Sequence, residues 1–178
     1  MTDLNCKSMK QLFQQAIRPF YFVLFAVLLY SCNVGSIHTG IIKNAGTGLT
    51  AVYKDLVPTD VFLLANNEEL NNNEIPLGES FILVNNHTKG FVEKDGKVYF
   101  GCSLIIKDEA GTELMNEPDL FKGEDILQAS PTTVLRCTVN TGSPMKEGQK
   151  YKVAVRFWDK YGKGQIENTV KIKIIGHP

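Results

Sequence analysis

The chain has 178 residues, and the side chains that could do chemistry are not grouped into a catalytic set. Its three histidines, His38, His87 and His177, are scattered. The chain contains no HExxH, GxSxG or CxxC pattern and no glycine-rich phosphate loop. The familiar metal-hydrolase, serine-hydrolase, redox and nucleotide chemistries therefore have no basis in the sequence. We predict no catalytic residue, no metal site and no cofactor.

Two acidic turns carry oxygen ligands of the kind that calcium prefers. One contains Glu68 and Glu69, and the other contains Asp108 and Glu109. Neither turn shows an ordered ligand spacing, so we interpret both as solvated turns.

Cys102 and Cys137 are the two cysteines that lie beyond the N-terminal region. Each alternates with large apolar residues, which predicts that both thiols face the interior of a sheet. An oxidising compartment permits a disulfide between them, but sequence spacing does not show that their Cα atoms lie within bridging distance. A disulfide and a pair of buried thiols are both consistent with the pattern.

Aromatic residues cluster near the end of a predicted hairpin, where Trp158 and Tyr161 follow Tyr151. Exposed aromatic rings can stack on sugar rings or anchor a protein partner. Packing at the end of the core is the alternative. Trp158 and Tyr161 are the candidate partner-contact residues, and Trp158 is the stronger of the two because its phase places it on the same strand face as Lys152 and Arg156.

The N-terminal region has the three parts of an export signal. Positive charges at Lys7, Lys10 and Arg18 precede an uninterrupted apolar run of 11 residues, 20–30. A membrane-spanning helix needs about 20 apolar residues, so the run is too short to span. It ends at Leu29-Tyr30-Ser31-Cys32.

This ending resembles the lipobox of bacterial lipoproteins, with leucine three positions before the cysteine and a small residue directly before it. The resemblance implies that Cys32 receives a diacylglyceryl group, that residues 1–31 are cut off, and that the new amino terminus is acylated, as with palmitate. Several acyl chains hold a protein stably on a membrane, whereas one chain holds it only marginally. An ordinary cleaved signal and an uncleaved anchor helix, with Cys32 incidental, remain the alternatives.

The resemblance extends to lipoproteins of the Bacteroidetes, some of which carry an acidic cluster after the cysteine for export to the cell surface. No such cluster follows Cys32. We therefore expect an outer-membrane lipoprotein of the bacterial cell envelope that faces the periplasm.

Size and charge limit the remaining functions. Removing residues 1–31 takes 3 basic and 1 acidic residue from totals of 19 and 19, which leaves 16 and 18. The remaining 147 residues suffice for one domain with a core of its own. A nearly neutral chain without charge runs gives no reason to expect a nucleic-acid partner.

The rest of the sequence predicts an all-β domain. Residues 32–48 are rich in Asn, Gly, Ser and Thr and are interpreted as a flexible tether between the lipid and the domain. Residues 49–178 show short alternating runs with turn residues about every ten positions, typical of an immunoglobulin-like two-sheet β-sandwich. A small β-barrel is the alternative. The predicted strands are 49–54, 61–65, 80–84, 90–93, 97–107, 112–115, 132–140, 150–158 and 165–175.

Two hypotheses for function follow. In the first, a non-enzymatic lipoprotein binds a protein or glycan partner, or has a structural role, in the envelope. In the second, the same scaffold carries an enzyme or an enzyme inhibitor. Fold class does not decide between them, because sandwiches host many functions.

Overall fold

The computed structural model describes residues 38–123, 126–130 and 133–176, which form an all-β domain. The proposed signal, Cys32 and His177 lie outside these residues. The described part of the chain contains no helix with the length and apolar character needed to cross a membrane. Its strands are β1 (Thr39–Lys43), β2 (Thr50–Lys54), β3 (Asp60–Ala65), β4 (Glu68–Glu69), β5 (Glu74–Pro76), β6 (Ser80–Asn86), β7 (Lys97–Asp108), β8 (Glu113–Glu117), β9 (Ile126–Gln128), β10 (Leu135–Asn140), β11 (Lys150–Asp159) and β12 (Gln165–Ile175).

The strands form two sheets. The large sheet has the order β1-β2-β12-β11-β7-β8, with β5 added to β12 and β9 added to β7. The small sheet has the order β10-β6-β3-β4. Every pairing is antiparallel except that of β5 with β12. Neither strand order closes on itself, so the two-sheet sandwich is confirmed and the small barrel is excluded.

The core lies between the two sheets and contains the inward-facing residues of both. On β11 and β12 the burial alternates strictly along most of each strand, as the apolar periodicity predicted. The two strands pair directly, with Val153 opposite Val170. The fully buried large side chains include Phe81, Leu63, Leu83 and Leu135 from the small sheet and Phe157, Ile106, Ile166, Ile172 and Ile174 from the large sheet.

The Asp95-Gly96 turn forms as its sequence predicted. Both residues have positive φ, 53° and 69°, and Lys94 and Lys97 exchange two backbone hydrogen bonds of 2.8 and 3.0 Å. Positive φ at both central positions is the geometry that suits the twist of a hairpin and that favours Asp-Gly. The turn brings the chain into β7, the longest strand of the large sheet.

Three strand regions, β1, β4 with β5, and β9, form where the sequence predicted no strand. β1 lies inside residues 32–48, which composition predicted as tether; it pairs with β2, and Ile42 packs against the core. β4 and β5 lie in or next to the polar segment 66–74, between the predicted strands 61–65 and 80–84. Ile75 explains β5, because this one apolar residue is buried and lies opposite Ile174 of β12. Conversely, no strand forms at 90–93.

One polar contact joins the sheets through the core. Asn85 of β6 and Asn168 of β12 are 0% and 1% exposed. Each side-chain amide donates to the carbonyl oxygen of the other, at 2.7 and 2.9 Å, and Asn168 also donates to the Val155 carbonyl at 3.2 Å. Buried amides are tolerated only when they are hydrogen-bonded, so these two residues depend on each other.

The substitution Asn85→Ala is expected to lower the free energy of unfolding by about 2–3 kcal/mol, because it leaves the buried Asn168 amide partly unpaired. Urea unfolding followed by circular dichroism measures this loss. Asn140→Ala, an exposed asparagine of the small sheet, is the matched control, with an expected change within about 0.5 kcal/mol. Equal losses in the two variants would contradict the role assigned to the pair.

Candidate functional site

Trp158 lies on the outward face of the large sheet, as its strand phase predicted. It is half-buried, and its strand neighbours Phe157 and Asp159 face inwards. Trp158 pairs with Gly101 of β7, and its indole ring covers the Gly101 Cα, so that a Cβ at this position would overlap the ring. The absence of a side chain at Gly101 therefore creates the seat for the ring.

A cation flanks the tryptophan. The Arg156 guanidinium carbon lies 5.6 Å from the centre of the Trp158 ring, within the range of a cation–π contact. The guanidinium also donates to the Gln165 side-chain carbonyl at 2.7 Å. Arg156 thus has its position set by two neighbours and stays exposed beside the ring.

A second aromatic pair lies at the same end of the sheet. Tyr161 is 53% exposed, and its ring packs edge-on against Tyr99 with centres 5.0 Å apart and planes at 88°. The Lys94 ammonium lies 4.9 Å from the centre of the Tyr161 ring. Tyr99 precedes Gly101 by two positions on β7, so it shares the outward face with Trp158.

The loop that carries Tyr161 is anchored by a buried carboxylate. Asp159, 4% exposed, accepts hydrogen bonds from the backbone N–H of Val92 at 2.6 Å and of Tyr161 at 2.9 Å. Gly162 packs so closely against the carboxylate that a side chain there would overlap it. These contacts hold the loop without using the exposed face of the tyrosine.

We name Tyr99, Trp158 and Tyr161 the aromatic platform. Aromatic rings with cations beside them provide apolar faces for stacking and donors for hydroxyl or acidic groups. Such an arrangement suits binding of sugar rings or of a protein side chain.

Asp119 lies beside β7 and links this strand to the loop after β11. Its carboxylate accepts hydrogen bonds from the backbone N–H of Cys102 and of Phe121 and pairs with the Lys160 ammonium at 3.1 Å. Burial acts to raise the pKa of Asp119, but the hydrogen bonds from Lys160 and the two N–H groups outweigh it and hold the pKa below its usual value. The carboxylate is therefore a charged structural link.

Cys102 and Cys137 are brought together from opposite sheets. Both are buried, free thiols, Cys102 on β7 and Cys137 on β10. Each thiol donates a long hydrogen bond to the backbone carbonyl of the next residue, Cys102 to Ser103 at 3.9 Å and Cys137 to Thr138 at 4.0 Å. The neighbouring Cys137 thiol raises the pKa of Cys102, as do burial and the charge of Asp119, and the Cys102 thiol lowers the pKa of Cys137. Both thiols lie in the core between the sheets, and the disulfide stays a prediction.

Comparison with known proteins gives little beyond this geometry. No protein-family model matches the sequence, and no curated protein matches it. A similar solved structure is described as "Crystal structure of the C-terminal domain of wzt", with a TM-score of 0.48 and 9% sequence identity, covering 79% of this chain and 80% of that chain. A likeness at this level carries no information on binding residues.

The structure unites some of the residues singled out in the sequence and separates others. Trp158 and Tyr161 lie at one end of the large sheet, whereas Tyr99 joins them without any local sequence signal. His38 donates its backbone N–H to Asp55, and His87 is exposed with a φ of 45°. Across 38–123, 126–130 and 133–176, no three His, Cys, Asp or Glu side chains are grouped so that they could hold a metal ion.

The substitution Gly101→Ala is expected to displace the Trp158 ring and to lower the free energy of unfolding by about 1–3 kcal/mol, as overpacking does. Because Trp158 is the single tryptophan of the chain, its fluorescence reports the change directly, and the emission should shift to longer wavelength. Ser103→Ala, on the same face of β7, is the control and should leave the spectrum unchanged. An unshifted spectrum for Gly101→Ala would show that the ring does not use this seat.

The two core cysteines are expected to form a disulfide when the protein matures in an oxidising compartment, because both thiols lie in the same core between opposite sheets. Protein recovered from such a compartment and unfolded without reductant should then have two fewer reactive thiols than after reduction. Cys137→Ala is the control, since it leaves Cys102 without a partner and should show no difference of this kind. Equal counts for the unsubstituted protein would establish two buried thiols instead.

Proposed function

We propose that the protein is a lipid-anchored, non-catalytic binding protein of the bacterial cell envelope, and that its sandwich binds a glycan through the aromatic platform. The anchor is the acylated Cys32. The domain is held on the outer membrane, facing the periplasm, and a protein partner is the alternative occupant of the platform.

The observation that carries the proposal is the outward-facing tryptophan seated over Gly101. A large aromatic ring that served the core would point between the sheets, as Phe157 does. Trp158 instead lies on the outer face beside an exposed arginine, with Tyr161 and Tyr99 at the same end. Flat apolar surface next to hydrogen-bond donors is what sugar rings require for stacking and for hydroxyl contacts.

Rigidity of the platform supports the same reading. The Asp159 carboxylate fixes the loop of Tyr161, and the Tyr161 ring is further held by Tyr99. Rings that are already ordered lose little conformational entropy when a ligand binds. A preorganised surface of this kind suits recognition of a ligand that is itself flexible.

Glu113 and Asp119 are described carboxyl groups that are poorly suited to act as a general acid. Hydrogen bonds from Lys107 and Asn116 lower the pKa of Glu113, and the pKa of Asp119 is lowered as described above. A general acid needs a pKa raised toward neutrality. Both groups instead remain charged in ion pairs at neutral pH.

The anchor is tested on the protein made in its bacterial host. Mass spectrometry of the mature N-terminal peptide should find a diacylglyceryl-modified and acylated Cys32, because several chains are needed for stable anchoring. Cys32→Ala should leave the protein as an uncleaved precursor, while Cys6→Ala, the matched control within the signal, should be processed normally. An unmodified Cys32 at the mature terminus would rule out the lipid anchor.

Glycan binding is tested with polysaccharide extracted from the host envelope and fixed to beads. Trp158→Ala is expected to weaken binding about tenfold or more, because a central aromatic contact contributes on the order of 2 kcal/mol. Phe62→Ala is the matched control, since Phe62 is a half-buried aromatic on the outer side of the small sheet. Loss in both variants, or binding by neither the unsubstituted protein nor the variants, would contradict the proposal.

A further inference from the structure

Five lysines gather at the end of the large sheet that lies opposite the aromatic platform. They face outwards from the three central strands β7, β11 and β12. Lys152 pairs directly with Lys171 on one side and with Lys107 on the other, and Lys150 pairs with Lys173. We name these five residues the lysine cluster.

Acidic neighbours balance only the two flanks of this cluster. Lys107 pairs with Glu113 at 3.0 Å, and Lys173 pairs with Glu74 at 2.7 Å. No acidic side chain within the described residues forms an ion pair with Lys150, Lys152 or Lys171, and all three are exposed. The centre of the cluster therefore holds three lysines without an ion-pair partner among the described residues, on a chain whose formal net charge is zero.

Edge protection does not explain this arrangement. Lysines commonly protect the open edges of sheets from pairing with other chains, but β11 is paired on both sides, by β12 and by β7. Like charges placed directly opposite each other on neighbouring strands destabilise a sheet. The sheet therefore carries an electrostatic cost at Lys152 that a bound anion would relieve.

The cluster also has a shape that can receive a ligand. A depression of about 360 Å³ is lined by Lys107, Lys150, Lys152 and Lys171, together with Asp108, Glu109, Gly111 and Tyr151. The Asp108 carboxylate accepts the Thr112 N–H at 2.8 Å within its own turn. The two acidic residues thus belong to the turn at the end of β7, whereas the lysines lie on the strands themselves.

We propose that the lysine cluster binds the acidic groups of an anionic glycan whose chain also contacts the aromatic platform. The inference rests on the proposed glycan-binding function and adds the charge and the length of the ligand. Trp158 and Lys152 are six residues apart on one extended strand, which is about 20 Å. A ligand that reaches both must be an elongated polymer.

The position of the cluster favours a glycan over a lipid surface. β1 begins at Thr39, which pairs with Lys54, and Lys54 pairs with Gln165, the partner of Trp158. The chain therefore enters the sandwich at the platform end of the large sheet. The lysine cluster lies at the opposite end of the same strands, away from Thr39, the first residue of β1.

The test measures binding of alginate oligomers, which carry carboxylates, and of neutral dextran oligomers, each in a series of increasing length. The triple variant Lys150→Gln, Lys152→Gln, Lys171→Gln is expected to weaken binding of long alginate about tenfold at low salt, since exposed charge pairs contribute modestly and add up. Added salt should reduce the difference. Short alginate oligomers, which contact only one end, should bind more weakly than long ones.

Controls separate charge from folding and from position. Lys89→Gln with Lys122→Gln removes two exposed lysines from outside the large sheet and should leave binding unchanged. The triple variant should melt at the same temperature as the unsubstituted protein or higher, because repulsion between opposite lysines is removed. Trp158→Ala tests the platform with the same oligomers.

Each of the following results either supports the inference or overturns it. Weaker alginate binding in both the triple variant and Trp158→Ala supports the inference. Unchanged alginate binding in the triple variant, with loss in Trp158→Ala, overturns it and leaves the platform as a glycan site. Poly-glutamate or phosphatidylglycerol vesicles that bind through the lysines in place of alginate also overturn it, as does a failure to bind any alginate. If dextran, alginate and envelope polysaccharide all fail to bind, the proposed glycan-binding function is contradicted as well.

Discussion

The reciprocal hydrogen bonds between Asn85 and Asn168 are the interaction on which the orientation of both sheets depends. Strand side chains alternate between two faces, so a shift of one residue would turn the whole inner set of a strand outwards. An amide pair buried in an apolar core is satisfied in one arrangement only. By holding Asn168 inside, the pair also determines that Lys171 and Gln165 of β12 face solvent. Both ends of the outer face therefore depend on a contact made in the middle of the core.

Short sequence patterns predicted the features that depend only on residues close together in the chain. Alternation identified the inner faces of β11 and β12 and placed Trp158 outside, and Asp95-Gly96 marked a turn that forms. Tyr99 was not predicted as a member of the platform. Its contact with Tyr161 arises from the pairing of β7 with β11, which no short window of sequence contains. β5 was missed for a related reason. Its polar composition argues against a strand, and only the distant partner β12 gives Ile75 a buried place.

The distribution of charge over the two faces of the large sheet was also not predictable from local sequence. Counting acidic and basic residues gave a balanced chain and no reason to expect a nucleic-acid partner. Balance over the whole surface, however, conceals segregation between faces, because Lys107, Lys152 and Lys171 come from three strands separated widely in sequence. Composition averages over faces, whereas a ligand meets one face at a time. Register between strands, not composition, sets the local field.

The seat of Trp158 over Gly101 ties two positions together across a strand pair. Neither residue can change freely: a side chain at position 101 would meet the ring, and a smaller residue at position 158 would uncover the backbone of β7. In related chains the two positions should vary together, with glycine at the first wherever the second carries a large ring. That pairing gives a signature by which distant relatives with the same surface could be found even where overall sequence identity has decayed.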